Sequence, residues 1–272
     1  MISDITLGQY YPGNSAIHKM DASIKIALTF LYMIAIFFIK GFIGFFIITV
    51  FLILILMLSK VPAKFVLKGI KPILVFIIFT VVLNMFMTGG RKAFTFIVWD
   101  VSSEGIFASV FMALRIIFLV TGSSFLTYTT TPIMLTDGIE KILKPFEKIG
   151  VPAYELAMMM SIALRFIPTL IEETDKIMKA QKARGSDFES GGLIKRGKAL
   201  IPVLVPLFIS AFRRADDLAI AMESRCYNGG INRTRLRESK LSIVDFYGSL
   251  VFILFAVLSI LIGCFNLDFR GF

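Results

Sequence analysis

The chain has 272 residues, of which 57% are hydrophobic, including 28 Phe, and its mean hydropathy is +0.82. An ordinary soluble domain is excluded, because its apolar share stays near roughly 45–50%. The net charge of +10 does not indicate nucleic acid: no basic stripe with interleaved aromatics lies on a soluble module, and Lys and Arg also gather in the cytoplasmic loops of polytopic membrane proteins.

Five apolar runs reach or approach the roughly 20 residues that cross a bilayer. They cover 24–39, 42–58, 73–87, 106–131 and 243–264. The N-terminus does not read as a cleavable signal, since Asp4, polar residues and Pro12 precede the first run. Lys40-Gly41 alone separates the first two runs and is expected to form a tight hairpin. Lys19 and Lys25 precede the first run, and Lys60, Lys64, Lys68 and Lys71 fill the loop after the second. The loop 88–104 carries only Arg91 and Lys92, offset by Asp100 and Glu104, with Trp99 near an interface. One orientation satisfies these loops, with the N-terminus and 132–241 in the cytoplasm and the C-terminus outside. The expected division is 1–131 (N-terminal segment and four spans), 132–241 (a cytoplasmic coupling domain) and 242–272 (the last span).

Inside 132–241 the pattern is helical. Residues 136–149 read as a short helix behind Thr131-Pro132, closed by Gly150-Val151-Pro152. Leu156, Met159, Met160, Ala163, Ile167, Leu170, Ile171, Thr174 and Ile177 then recur at helical spacing, with a kink expected at Pro168. That helix runs to Ala183-Arg184-Gly185, and Ser190-Gly191-Gly192 breaks the pattern. A third helix places Leu200, Val203, Leu204, Leu207, Phe208, Ala211, Ala215, Leu218 and Met222 on one stripe. Arg213, Arg214, Asp216, Asp217 and Glu223 take the opposite face, and the helix ends at Ser224-Arg225-Cys226 before Asn228-Gly229-Gly230. The expected fold is an all-α integral membrane protein: about five transmembrane helices and a cytoplasmic coupling domain of about three amphipathic helices.

Residues that could carry chemistry are scarce. His18 is the single histidine, and Cys226 and Cys264 lie far apart, which argues against a metal cluster or a disulfide. The run from Gly192 to Ala199 fits G-x-x-x-x-G-K, but Ala199 stands where a phosphate loop needs Ser or Thr for Mg²⁺, and no buried strand precedes it. It is expected to be a basic linker. Arg115 falls inside the fourth run, so it should face protein, as a packing residue. Glu172, Glu173 and Asp175 read as a solvated face, and the sequon Asn232-Arg233-Thr234 falls on the cytoplasmic side. What remains is the pair of Arg-centred tripeptides. Each ends a striped helix with a cationic tip between small residues, and a guanidinium fork pairs well with carboxylates in a groove.

These features resemble the transmembrane coupling, or T, component of energy-coupling factor importers of vitamins and metal ions, over nearly the whole chain. The resemblance is carried by Gly13-Asn14-Ser15-Ala16-Ile17-His18-Lys19-Met20-Asp21, by Thr130-Thr131-Pro132 and Gly150-Val151-Pro152, and by Leu164-Arg165-Phe166-Ile167-Pro168. Ala183-Arg184-Gly185 matches the first Ala-Arg-Gly signature in full; Ser224-Arg225-Cys226 keeps only the Arg of the second. The resemblance implies no ATPase site and no cofactor in this chain, ATP and Mg²⁺ being bound by partner ATPases. It implies docking of Ala183, Arg184, Gly185, Ser224, Arg225 and Cys226 onto two ABC-type ATPases. It also implies packing against a separate substrate-binding membrane protein, the S component, with Met159, Met160, Ala163, Ile167, Leu204 and Phe208 as candidate contacts. The alternative is a self-contained secondary transporter or channel, which needs paired intramembrane charges or inverted repeats. An integral membrane enzyme would need a cluster of His, Asp or Glu.

Overall fold

A computed structural model of the chain describes residues 9–39, 41–87, 92–96, 99–188, 192–229 and 242–265. The sequon at 232–234, residues 88–91 and Lys40 of the expected hairpin therefore lie outside the described residues. The chain divides into two compact units, one of residues 8–139 with 239–272, the other of 140–238 with 1–7.

Each apolar run of the first unit forms a helix: α2 (Ala22–Phe38), α3 (Phe42–Ser59), α5 (Leu74–Met87), α6 (Ser103–Thr129) and α10 (Ile243–Phe265). A one-turn helix α1 (Ala16–Lys19) precedes α2, and α4 (Ala63–Ile70) leads through a 3₁₀ turn, Lys71–Ile73, into α5. α7 (Pro132–Leu143) follows α6. The loop between α5 and α6 holds an antiparallel hairpin, β1 (Lys92–Phe96) and β2 (Trp99–Ser102), with Phe96 opposite Trp99. That hairpin is the one departure from helix among the described elements. Four helical segments have the length and apolarity to cross a membrane: Phe42–Ser59, Ala63–Phe86, Gly105–Thr129 and Ala153–Ala183; Ala22–Phe38 and Ile243–Ser259 are apolar but shorter.

The core of this unit is aromatic. Phe51 of α3 stacks on Phe255 of α10 at 3.9 Å between ring centroids, and Tyr32 of α2 and Phe252 complete the cluster. The Tyr32 ring lies against Gly122, where an added Cβ would fall 2.0 Å from a ring carbon, so a glycine is required for α2 and α6 to approach. The Tyr32 hydroxyl donates to the Phe118 carbonyl at 2.9 Å.

The N-terminal motif folds into a polar knot that joins helix ends. Ser15 caps α1, and its hydroxyl is 2.7 Å from His18 Nδ1, while His18 Nε2 donates to the Tyr11 carbonyl at 3.0 Å. Gly13 lies against that ring, with no room for a Cβ. Asp21 caps α2 through Ser23 N–H at 2.9 Å. Lys25, only 6% exposed, donates to the carbonyls of His18 and Thr129 and to Thr130 Oγ1, so all three ammonium protons have acceptors. Tyr11 N–H donates to the Tyr128 carbonyl. Asp245, buried, accepts from Asp21 N–H at 2.8 Å and from Ser242 N–H at 2.7 Å. The starts of α2, α4 and α10 and the end of α6 thus share one layer, on the side that carries Lys19, Lys25, Lys60, Lys64, Lys68 and Lys71.

Arg115 has a packing role. Its Nη2 donates to the carbonyl of Ile39, the C-cap of α2, at 2.8 Å, and its guanidinium lies 6.0 Å from the Phe37 ring centroid. A helix leaves its last carbonyls without intrahelical donors, and here an arginine from the neighbouring span supplies one.

Replacing Asp245 with Ala strands the buried Asp21 N–H, at about 1–3 kcal/mol, and removes the acceptor of the part-buried Ser242 N–H. Asp245→Ala should lower the apparent melting temperature of the purified protein clearly, and Asp245→Asn, which keeps one of the two acceptor oxygens, should lower it less. Equal midpoints for all three proteins in a thermal unfolding assay would contradict the knot as a structural keystone.

Candidate docking site

The second unit is built on two helices of equal length, α8 (Ala153–Ala183, 31 residues) and α9 (Leu193–Glu223, 31 residues). The expected helix over 136–149 is divided instead: α7 ends at Leu143, and Lys144–Ile149 is 3₁₀, beginning at Pro145 and closed by Gly150 at φ +92°. Pro145 cannot continue the α-helical ladder, which accounts for the tighter turn. α8 runs unbroken through Pro168, and α9 through Pro202 and Pro206. The basic stretch 193–199, expected to be a linker, is the first two turns of α9, with Gly192 as N-cap. Gly197 and Lys198 are therefore helical, and the phosphate-loop reading fails on geometry as well as on sequence.

The two tripeptides occupy equivalent positions in two equivalent helix stops. At the end of α8, Gly185 N–H donates to the Lys182 carbonyl at 3.0 Å and Ser186 N–H to the Gln181 carbonyl at 3.0 Å. At the end of α9, Cys226 N–H donates to Glu223 at 2.9 Å and Tyr227 N–H to Met222 at 3.0 Å. Both are the paired six-to-one and five-to-two bonds of a Schellman motif, which needs a left-handed residue just past the helix. That residue is Gly185 at φ +90° in the first and Cys226 at φ +56° in the second. The arginine precedes it each time and is held at the outermost helical position by the turn behind it. Arg184, Arg225 and their tripeptide neighbours are all exposed. Among the described residues neither guanidinium makes a side-chain hydrogen bond or ion pair, and each lies at a helix C-terminus, where positive charge is favoured.

α8 and α9 pair in an antiparallel sense, since Gln181 meets Pro202 while Glu173 and Thr169 meet Arg214. Pro206 has no N–H to give the Pro202 carbonyl, and the Gln181 amide takes that place at 3.4 Å. Arg214 donates from Nη2 to Glu173 Oε2 at 2.9 Å and from Nη1 to Thr169 Oγ1 at 2.8 Å, with its guanidinium 5.8 Å from the Phe166 ring centroid. The solvated face expected for Glu173 is thus half-buried and paired; Glu172 is exposed. The stripe expected on α9 is also redistributed. Val203 is buried and Leu207, Ala211 and Leu218 half-buried, whereas Leu204 and Phe208 are exposed beside Val205, Ile209 and Phe212. On α8, Met159 and Ala163 are exposed and Met160 and Ile167 half-buried. Residues 200–212 of α9 are consequently apolar on both sides, a broad surface free for a membrane or a partner. Among the described residues no group of His, Cys, Asp and Glu could hold a metal ion.

The described elements are helices but for one hairpin, and several of the helices are long and apolar enough to cross a membrane. Residues 13–236 match the CbiQ family model, described as cobalt transport protein. The chain is 56% identical to a protein of Clostridium kluyveri over 96% of this chain and 97% of the other. It is 53% identical to one of Thermosediminibacter oceani, over 95% and 97%, and 45% identical to one of Bacillus subtilis, over 88% and 90%. Each of the three is named energy-coupling factor transporter transmembrane protein EcfT. The chain belongs to this family.

A non-glycine residue held left-handed costs about 1–2 kcal/mol. Cys226→Gly should therefore strengthen the end of α9, seen as slower hydrogen exchange at the amides of residues 224–227. Gly185→Ala should speed exchange at the end of α8. Unchanged exchange in both variants would contradict the strain assigned to Cys226.

Proposed function

We propose that this chain is the subunit that converts ATPase motion into substrate uptake in an importer of vitamins or metal ions, with Arg184 and Arg225 as its two ATPase contacts. The observation that carries this reading is the repetition of one cap: two helices of equal length end in the same turn, and each turn holds an exposed arginine with no side-chain partner among the described residues. A guanidinium presents five donors in a planar fork, suited to carboxylates lining a groove on another protein. Small residues on either side (Ala183 and Gly185, Ser224 and Cys226) let the backbone of the tip approach such a groove closely.

In this reading each tip seats in one of two ABC-type ATPases, which bind ATP and Mg²⁺, and this chain needs no cofactor. When the ATPases close, the tips follow, and α8 and α9 carry the movement as rigid bodies. The exposed apolar residues Met159, Ala163, Leu204 and Phe208, with Met160 and Ile167 beside them, face the S component or the lipid around it. Methionine suits a surface that must re-pack against different neighbours. The N-terminus and 132–241 lie in the cytoplasm of a cell membrane, in keeping with the basic residues gathered on that layer. A self-contained transporter is disfavoured, because the buried charges of the membrane unit are engaged with backbone groups at helix ends: Lys25 with carbonyls, and Asp21 and Asp245 with N–H groups, while the half-buried Arg115 donates to the Ile39 carbonyl.

Truncating one member of a buried interfacial charge pair costs about 2–5 kcal/mol. Arg184→Ala or Arg225→Ala should therefore weaken ATPase retention when the complex is purified through this chain, and the double variant should lose the ATPases and uptake altogether. Yield and monodispersity of the membrane protein should stay unchanged. ATPases recovered at the wild-type ratio with both arginines removed would overturn the assignment.

A further inference from the structure

The clasp between α8 and α9 has a position that neither helix shows alone. Glu173 lies 11 residues before Arg184, and Arg214 lies 11 residues before Arg225. The ion pair at 2.9 Å therefore joins equivalent positions on two helices of equal length. Because the helices run antiparallel, the tips point away from this junction in opposite directions. At 1.5 Å per residue each arm is about 16 Å long.

We propose that Arg214 is the positioning residue of the coupling unit: it pins the crossing of α8 and α9 midway between the tips, so that displacement of either tip turns both helices about one point. Three features suit it to that task. Its two Nη groups bond different residues one turn apart on α8, Glu173 and Thr169, which fixes the rotation of α8 as well as its distance. Its guanidinium carbon lies over the Phe166 ring, 5.8 Å from the centroid, which adds a third contact to α8. The junction is half-buried, with 34% and 24% of the two side chains exposed, which screens it less than a surface pair. The Gln181–Pro202 contact, eight residues further along α8, is a second anchor on one arm only and cannot itself centre the crossing.

This inference rests on the reading that the tips dock on ATPases, and the test separates the two. The full complex of this chain with its ATPases and S component is purified through this chain and reconstituted in vesicles. Retained ATPase, ATP turnover and substrate imported per ATP are then measured for Arg214→Glu, Glu173→Arg, the double exchange, and Thr169→Val. The reversals should keep ATPase retention and turnover near wild type. Imported substrate per ATP should fall by about tenfold or more, the scale of a coupled pair broken at close contact. The double exchange should recover most of that ratio, and Thr169→Val should lose about threefold, as one bond of the set is removed.

A merely structural role would lower yield or thermal stability and leave the ratio per ATP intact. Should a single reversal fail to fold, the double exchange and Thr169→Val still decide the matter. A wild-type ratio in Thr169→Val and in whichever reversal folds would overturn the proposal, as would a double exchange no better than its singles. Loss of the tip arginines without loss of ATPase would instead overturn the docking reading, whatever Arg214 does.

Discussion

Every helix end in this protein has to find donors for its last carbonyls, and the answers to that requirement organise the molecule. A helix leaves four such groups open, and an open carbonyl away from water is costly. In the membrane unit the donors come from other elements: Lys25 serves Thr129 at the end of α6, Tyr11 serves Tyr128, and Arg115 serves Ile39 at the end of α2. Buried cations that would be a burden alone thereby become the joints between spans. In the coupling unit the donors come from the chain itself, which turns left-handed and folds back on its own last turn. That solution leaves the preceding arginine unused and facing out.

The two kinds of helix end correspond to two mechanical roles. Ends tied by side chains from neighbouring helices hold the spans in one arrangement, and the aromatic stack around Phe51 and Phe255 fills the space between them. Ends closed locally leave a helix as an independent rod with a defined tip. Two such rods are equal in length and joined at Arg214 and Glu173; in the proposed reading they do work through a partner at each tip and a fixed crossing. The tips are alike in hydrogen bonding and unlike in strain, since Gly185 accepts a positive φ freely and Cys226 does not.

Much of this was legible in the sequence. The five apolar runs became helices with limits within a few residues of those expected, because burial in lipid leaves little freedom in where an apolar helix stops. The Arg tips were visible as an arginine before a small residue at the end of a striped helix. Other features were masked by local composition. Residues 193–199 looked like a linker because Lys195, Arg196 and Lys198 conceal the helical period; the helix beyond them was expected, but not the Gln181 amide that serves the Pro202 carbonyl left open by Pro206. The clasp was hidden because pairing Glu173 with Arg214 depends on the register of an antiparallel crossing, which no single-helix pattern contains. The equal 11-residue intervals before each arginine were the available signal. The roles of Gly13 and Gly122 were likewise invisible, as each depends on a ring brought in by the fold.

The central claim is that two helix tips of this chain are its handles for the ATPases. An electron cryomicroscopy structure of the assembled transporter tests it most directly. The account expects Arg184 and Arg225 each to be seated in a groove of a different ATPase subunit, with a carboxylate within hydrogen-bonding distance of each guanidinium. ATPases contacting this chain elsewhere, for example on the Lys60–Lys71 segment, with both guanidinium groups left in solvent, would contradict it.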